Sequence, residues 1–212
     1  MTQDRRPPLA LTLLTGSRLL FALAIILLTP WAGDRTWAVI VATVLVGLIE
    51  VTDLLDGYLA RMHDAVTGFG KLFDPYTDSL SRLTVYWSLA VVGRCLVFVP
   101  LVMAARDISV AYIRLQLTRQ GRDVAARWWG KLKAIVHGTG GLVLMSGPLW
   151  WGRTGPIFIW TISLLAVIVT LGSLLMYGIL AFHRTTSDED ARPLHEVRAT
   201  PVRLPLPPDH LS

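Results

Sequence analysis

The sequence predicts an all-α integral membrane protein with six transmembrane helices. Three observations carry that prediction. Of the 212 residues, 53% are hydrophobic and only 17% are charged, against about 25% charged in soluble domains. Successive apolar stretches reach the roughly 20 residues that a membrane helix requires. Basic and aromatic residues gather at the ends of those stretches, where the membrane meets water. A single cysteine, Cys95, excludes an internal disulfide. The net charge of +5 sits beside apolar helices, so phosphates of lipids or substrates are the expected partners and nucleic acid is not.

The elements follow in order. Residues 1–183 form the predicted membrane domain. Apolar sequence from Leu9 to Leu28 makes the first helix. A cleaved signal peptide is the alternative, but the run is long and continues a multi-helix pattern. Pro30 to Thr36 is a predicted turn, with Trp31 and Trp37 as interface anchors. The second helix runs from Thr36 to Arg61, and residues 62–69 connect it to a third from Gly70 to Gly93. Gly93-Arg94 makes a tight connection. The fourth helix spans Cys95 to Leu117, and Arg119 to Arg127 is a basic linker. The fifth spans Trp128 to Trp151 and the sixth Pro156 to Phe182. Residues 184–212, rich in proline and mixed charge, read as a disordered cytoplasmic tail.

Lysine and arginine set the expected orientation. Arg5, Arg6, Arg61, Lys71, Arg119, Arg122 and Arg127 fall on one side, and only Arg35, Arg94 and Arg153 on the other. The positive-inside rule places both termini in the cytoplasm. Trp31, Trp37, Trp150 and Trp151 then form an outer aromatic belt, and Cys95 is open to thiol reagents from outside unless it is packed away.

The chemistry-bearing stretch runs from Asp53 to Asp78. Asp53, Asp56, Gly57 and Ala60 stand at i, i+3, i+4 and i+7 on one helix face. Asp74 and Asp78 lie one turn apart on the next helix. Two helices meeting there converge four carboxylates, which repel unless cations intervene. Clustered oxygen ligands suit hard divalent ions such as Mg²⁺ or Mn²⁺. Glu50 lies one turn before Asp53 and reads as a group behind that cluster.

The order Asp53-x2-Asp56-Gly57-x2-Ala60-Arg61-x8-Gly70-x3-Asp74-x3-Asp78 resembles the CDP-alcohol phosphatidyltransferase family, whose fixed positions all match. Eight fixed positions match by chance on the order of once in 10¹⁰ windows at average usage. Leu14-Thr15-x2-Arg18 is similar to the opening of the family's first membrane helix. The resemblance implies the family's fold and transfer of a phosphatidyl group from CDP-diacylglycerol to an alcohol, with release of CMP. It implies two divalent ions, Mg²⁺ or Mn²⁺, held by Asp53, Asp56, Asp74 and Asp78, with Asp78 also the general base. Gly57, Ala60, Arg61, Thr67 and Gly70 fall at positions the family uses for the CDP-lipid. Close helix packing is the alternative role for Gly57 and Ala60, and membrane-interface anchoring for Arg61. The family further implies a homodimer in a bacterial inner membrane, with the site facing the cytoplasm.

A second group of cations addresses the acceptor. The only lysines are Lys71, Lys131 and Lys133, all at predicted cytoplasmic helix ends. Arg106 lies inside the fourth span, where a charge needs a polar cavity or a partner. Arg114 follows two turns on. Together they could hold a phosphorylated alcohol. The alternatives are orientation anchors for the lysines and a structural Arg106–Asp107 pair. The segments Ala105-Arg106-Asp107-x6-Arg114, Gly130-Lys131-x-Lys133 and 69–75 resemble the branch of the family that uses glycerol 3-phosphate. Ser79 stands where that branch often has lysine. His137, one turn after Lys133, is expected to bond a helix carbonyl. Two other functions compete: the same transfer to inositol phosphate, serine or a lipid alcohol, and a divalent-cation path lined by aspartates. The second conflicts with the cations beside the cluster.

Overall fold

The computed structural model describes residues 9–33, 35–63, 68–119, 127–151 and 155–189. Side chains are described at 14–33, 35–55, 73–117, 128, 130–151 and 155–182. Six α-helices follow one another: α1 Leu9–Ala32, α2 Thr36–His63, α3 Gly68–Val91, α4 Phe98–Arg119, α5 Arg127–Ser146 and α6 Gly155–Glu189. A 3₁₀ turn, Gly147–Leu149, follows α5. No strand occurs among the described residues.

Three helices contain stretches long and apolar enough to cross a membrane: Leu14–Ala32, Thr36–Leu55 and Gly155–Phe182. The other three are diluted by charge. α3 carries Asp74, Asp78 and Arg82, α4 carries Arg106, Asp107 and Arg114, and α5 carries Lys131 and Lys133. At 20 to 24 residues they still measure roughly 30–36 Å at 1.5 Å per residue. The outer faces carry many exposed apolar side chains, among them Leu20, Leu54, Val97, Leu101, Ile157 and Ile168. So much exposed hydrocarbon is the surface a lipid-embedded bundle presents.

Inside, α1 packs on α2 and α3, while α4 and α5 pack on α6, and α2 meets α5. Ile25, Val46, Val85, Leu89, Met103 and Leu144 belong to the main core. A smaller core of Val110, Leu117 and Tyr177 joins α4 to α6.

Several helix ends differ from the sequence expectation. α1 continues through Pro30 to Ala32. A proline in the last turn removes only one helical donor, and Arg94 donates to the Ala32 carbonyl, where a cation also suits the helix dipole. α3 ends in a Schellman motif. The Arg94 N–H reaches Leu89 O at 2.8 Å and the Gly93 N–H reaches Ala90 O at 3.1 Å. Gly93 takes φ +72° there, which a side chain would oppose. α4 starts at Phe98 instead of Cys95, with Pro100 in its first turn, where a missing N–H costs nothing. α5 stops at Ser146 because Pro148 cannot extend the ladder. α6 runs past Phe182 to Glu189, since 183–189 contain neither glycine nor proline. The tail expected beyond it, 190–212, lies outside the described residues.

Two side chains expected at the outer surface are buried. Trp151 is covered, with its ring against Gly147, where an added Cβ would overlap it. Trp31, Trp37 and Trp150 are exposed as expected. Cys95 is only 4% exposed and faces Ser163 Oγ at 3.6 Å, so it is not open to reagents. The neighbouring Val97 is 77% exposed. If the α3–α4 connection is outside, Val97→Cys in a Cys95→Ala background should react with a membrane-impermeant maleimide on intact cells. Labelling only after permeabilisation would reverse the orientation.

Candidate functional site

The aspartate cluster assembles where α1, α2 and α3 meet. Thr15 and Arg18, three residues apart on α1, share a face and are almost fully buried. Thr15 Oγ1 donates to Asp74 Oδ1 at 3.3 Å. Arg18 NH1 pairs with Asp53 Oδ1 at 2.8 Å. One turn of α1 thus binds an aspartate from each half of the motif.

Asp53 and Asp78 are joined from the other side by Arg82. Its Nε pairs with Asp78 Oδ1 at 2.6 Å, and its NH2 with Asp53 Oδ2 at 3.1 Å. NH2 also lies 3.5 Å from Glu50 Oε2. NH1 donates to the Ala134 carbonyl of α5 at 2.7 Å. Arg82 sits one turn after Asp78 on α3, so the fourth residue after the motif points back at it. Glu50 thus stands behind the cluster, as expected from its position. The aspartates thus have protein cations beside them, Arg18 and Arg82.

The structure therefore brings together three of the four motif aspartates. The side chains of Asp56, Gly57, Ala60, Arg61, Gly70 and Lys71, and all of Thr67, lie outside the described residues. Among the described residues no group of three His, Cys, Asp or Glu stands ready to hold one ion, and Asp56 is not in that count. The donor chemistry nonetheless fits hard divalent ions: carboxylates from two helices converge, with a hydroxyl beside them.

The acceptor candidates form a second cluster, on α4, α5 and α6. Asp107 Oδ1 receives Arg106 NH1 at 2.8 Å and Lys133 Nζ at 2.5 Å. Both cations are buried, each 7% exposed. Arg106 NH2 also donates to Ser173 Oγ at 2.6 Å. Arg106 and Arg114 flank the ring of Tyr177, at 5.5 and 5.1 Å from its centroid, within cation–π range. Arg114 NH2 lies 2.5 Å from the Tyr177 hydroxyl. The Arg106–Asp107 pair, held open as an alternative in the sequence, is present, and Lys133 shares it. Lys131 does not join them and is exposed, because residues two apart leave a helix in different directions.

The two clusters meet on one stretch of α5. Lys133 reaches Asp107, and the next residue, Ala134, accepts from Arg82. His137, one turn further, has Nε2 at 3.3 Å from the Ala166 carbonyl and 3.0 Å from Thr170 Oγ1. That is the helix-carbonyl contact expected for it.

Sequence reasoning left Thr15, Arg18, Arg82, Asp107 and Tyr177 out of the site. The Leu-Thr-x2-Arg resemblance pointed to the first two. For Arg82 the spacing of four from Asp78 was the available signal. Nothing in the local sequence marked Tyr177.

The profile of the CDP-alcohol phosphatidyltransferase family matches residues 8–182. A Treponema pallidum protein named CDP-diacylglycerol–glycerol-3-phosphate 3-phosphatidyltransferase is 38% identical over 98 residues, which are 46% of this chain and 45% of that protein. A Mycoplasma genitalium protein of the same name is 30% identical over 145 residues, 63% of this chain and 61% of that protein. A third, from Haemophilus influenzae, is 32% identical over 145 residues, 65% of this chain and 75% of that protein. The chain spans less than half the length of the first and about three fifths of the second. A profile match reaching from α1 into α6, over helices that draw the motif aspartates together, establishes that the chain belongs to the CDP-alcohol phosphatidyltransferase family.

Proposed function

We propose that this protein transfers a phosphatidyl group from CDP-diacylglycerol to glycerol 3-phosphate, releasing CMP. This is the reaction of a phosphatidylglycerophosphate synthase and a step of phospholipid biosynthesis. The observation that carries the reaction class is the convergence of Asp53, Asp74 and Asp78 at the α1–α2–α3 junction. The names of the relatives support the acceptor.

In this reading the acceptor hydroxyl attacks the lipid-side phosphorus, a new phosphorus–oxygen bond forms, and the bond to CMP breaks. Asp78 takes the hydroxyl proton. Two divalent ions, Mg²⁺ or Mn²⁺, held by Asp53, Asp56, Asp74 and Asp78, would offset the diphosphate charge and the charge that develops at phosphorus. Thr15 and Arg18 fix Asp74 and Asp53 against α1. Gly57, Ala60, Arg61, Thr67 and Gly70 receive the cytidine nucleotide. Arg106, Arg114 and Lys133, together with Lys71 and Lys131, attract the acceptor phosphate. Three described cations against the one carboxylate of Asp107 leave positive charge in surplus. A phosphate monoester carries about −1.5 to −2 at neutral pH, so it complements that surplus.

A second reading keeps the reaction and changes the acceptor to an uncharged alcohol. The observation favouring it is that Asp107 already engages both Arg106 and Lys133. A divalent-cation path is disfavoured, because Arg18 and Arg82 stand inside the acidic cluster.

We place all six helices across a bacterial inner membrane, with the aspartate end facing the cytoplasm and the chain acting as a homodimer. The Lys/Arg asymmetry and the apolar outer faces support the placement. The homodimer rests on family resemblance.

The test is an assay of purified protein with labelled CDP-diacylglycerol and a panel of acceptor alcohols. Glycerol 3-phosphate should be preferred, chelation should abolish turnover, and added Mg²⁺ or Mn²⁺ should restore it. Full turnover in excess chelator would end the metal reading. The lysines refine the acceptor. Lys133→Met should raise the KM for glycerol 3-phosphate more than it lowers kcat, as loss of uniform binding does. Lys131→Ala, on the exposed side of α5, should change it less. If neither variant moves the acceptor KM, the phosphorylated acceptor is wrong.

A further inference from the structure

Arg82 is a buried cation at the centre of an acidic cluster, and the proposed transfer gives it no chemical task. It is 4% exposed. A guanidinium stays charged in proteins and offers five N–H donors in a rigid plane. The Nε–NH2 edge normally grips one carboxylate through two parallel bonds. Here the same edge is divided between two carboxylates on different helices, Asp78 at 2.6 Å and Asp53 at 3.1 Å. The opposite corner, NH1, is anchored on the Ala134 carbonyl of α5 at 2.7 Å. Glu50 completes the surround from α2 at 3.5 Å. Glu50 owes its place to Gly138: a Cβ there would overlap the Glu50 carboxylate.

We propose that Arg82 is a positioning residue, a resident counter-ion that keeps Asp53 and Asp78 gathered between metal-binding events. The inference rests on the divalent-metal reading of the aspartates and goes beyond it. Two carboxylates brought together without a cation repel. A site that depended on its metals alone would spread apart whenever they left. Arg82 removes that dependence because it is covalently part of α3 and tied to α5. Glu50 adds a further carboxylate beside Arg82, so the cluster stays net negative with Arg82 in it. A lysine would not serve equally, since a point charge cannot span both carboxylates and a carbonyl in one plane.

This role differs from simple packing in how the metal enters. If Arg82 substitutes for metal charge, its removal makes stability depend more on metal, even with Arg18 still paired to Asp53. If it only packs, its removal costs the same with or without metal.

The experiment compares apparent melting temperatures of the purified full chain in detergent, in EDTA and in saturating Mn²⁺. Mn²⁺ binding is read separately by electron paramagnetic resonance. Wild type should bind Mn²⁺ and show a small Mn²⁺-induced rise. Arg82→Gln should melt lower in EDTA and recover most of the loss in Mn²⁺, so that its rise is at least twice that of wild type. Arg82→Lys keeps the charge but cannot span both carboxylates and the Ala134 carbonyl. It should give a rise between those of wild type and Arg82→Gln, and it serves if Arg82→Gln does not fold. Equal rises in wild type and the variants would overturn the role of Arg82 while leaving the metal reading intact. Wild type without any Mn²⁺ binding would bring down both.

Discussion

Asp78→Asn should lower turnover by about 10²- to 10⁴-fold, the range typical for loss of a general acid–base group, with damage to a metal site adding to it. The substitution keeps the shape of the side chain. Its amide oxygen can still accept from Arg82 Nε, which stands 2.6 Å from Asp78 Oδ1. Arg82 also keeps Asp53 and the Ala134 carbonyl, so the α2–α3–α5 junction should survive. What the variant loses is negative charge and basicity at one atom. CDP-diacylglycerol binding, measured by titration of the purified variant, should therefore remain within a few fold of wild type. A variant that turns over at the wild-type rate would remove Asp78 from the chemistry. A variant that loses CDP-lipid binding together with turnover would make Asp78 part of the substrate site instead of the base.

Most of this arrangement was legible in the sequence, and the parts that were not have identifiable causes. Helical spacing placed Asp53 with Asp56, and Asp74 with Asp78, because i, i+3 and i+4 relations are local. The convergence of the two halves needed only that the helices meet at their polar ends. The roles of Thr15, Arg18 and Arg82 depend on which face of α1 and α3 turns inward, and that is decided by packing. The same limit applies to the lysines. Lys131 and Lys133 look alike in sequence, yet one is exposed and the other buried on Asp107. Trp151 was read as an interface residue from its type and position. Gly147 opens a slot for the ring, and the ring takes it. Pro30 was read as a helix stop, but the helix runs two residues past it to Ala32, whose carbonyl Arg94 caps. Local pattern thus grouped the aspartates, whereas long-range contacts chose their partners.

Asp107→Asn should destabilise the protein strongly in the absence of acceptor and less in its presence. Asp107 is the carboxylate between two buried cations, Arg106 at 2.8 Å and Lys133 at 2.5 Å. Removing one member of a buried charge group typically costs about 3–5 kcal/mol, because the remaining charges stay buried without compensation. At about 2–4 °C per kcal/mol for a chain of this size, the apparent melting temperature in detergent should fall by roughly 6–20 °C. Lys133→Met on top of Asp107→Asn removes one stranded cation and should recover part of the loss, a coupling that a double-mutant cycle isolates. Arg106 keeps Ser173 and the Tyr177 ring, so recovery should be incomplete. The acceptor supplies the decisive comparison. Any ligand that binds only the folded state stabilises it by mass action. If the acceptor phosphate lies against Arg106 and Lys133, it replaces the charge that Asp107→Asn removes. Saturating glycerol 3-phosphate should then raise the melting temperature of Asp107→Asn by more than that of wild type. An equal rise in both proteins would place the phosphate elsewhere. An unchanged melting temperature in Asp107→Asn would mean that Arg106 and Lys133 are not held buried on Asp107.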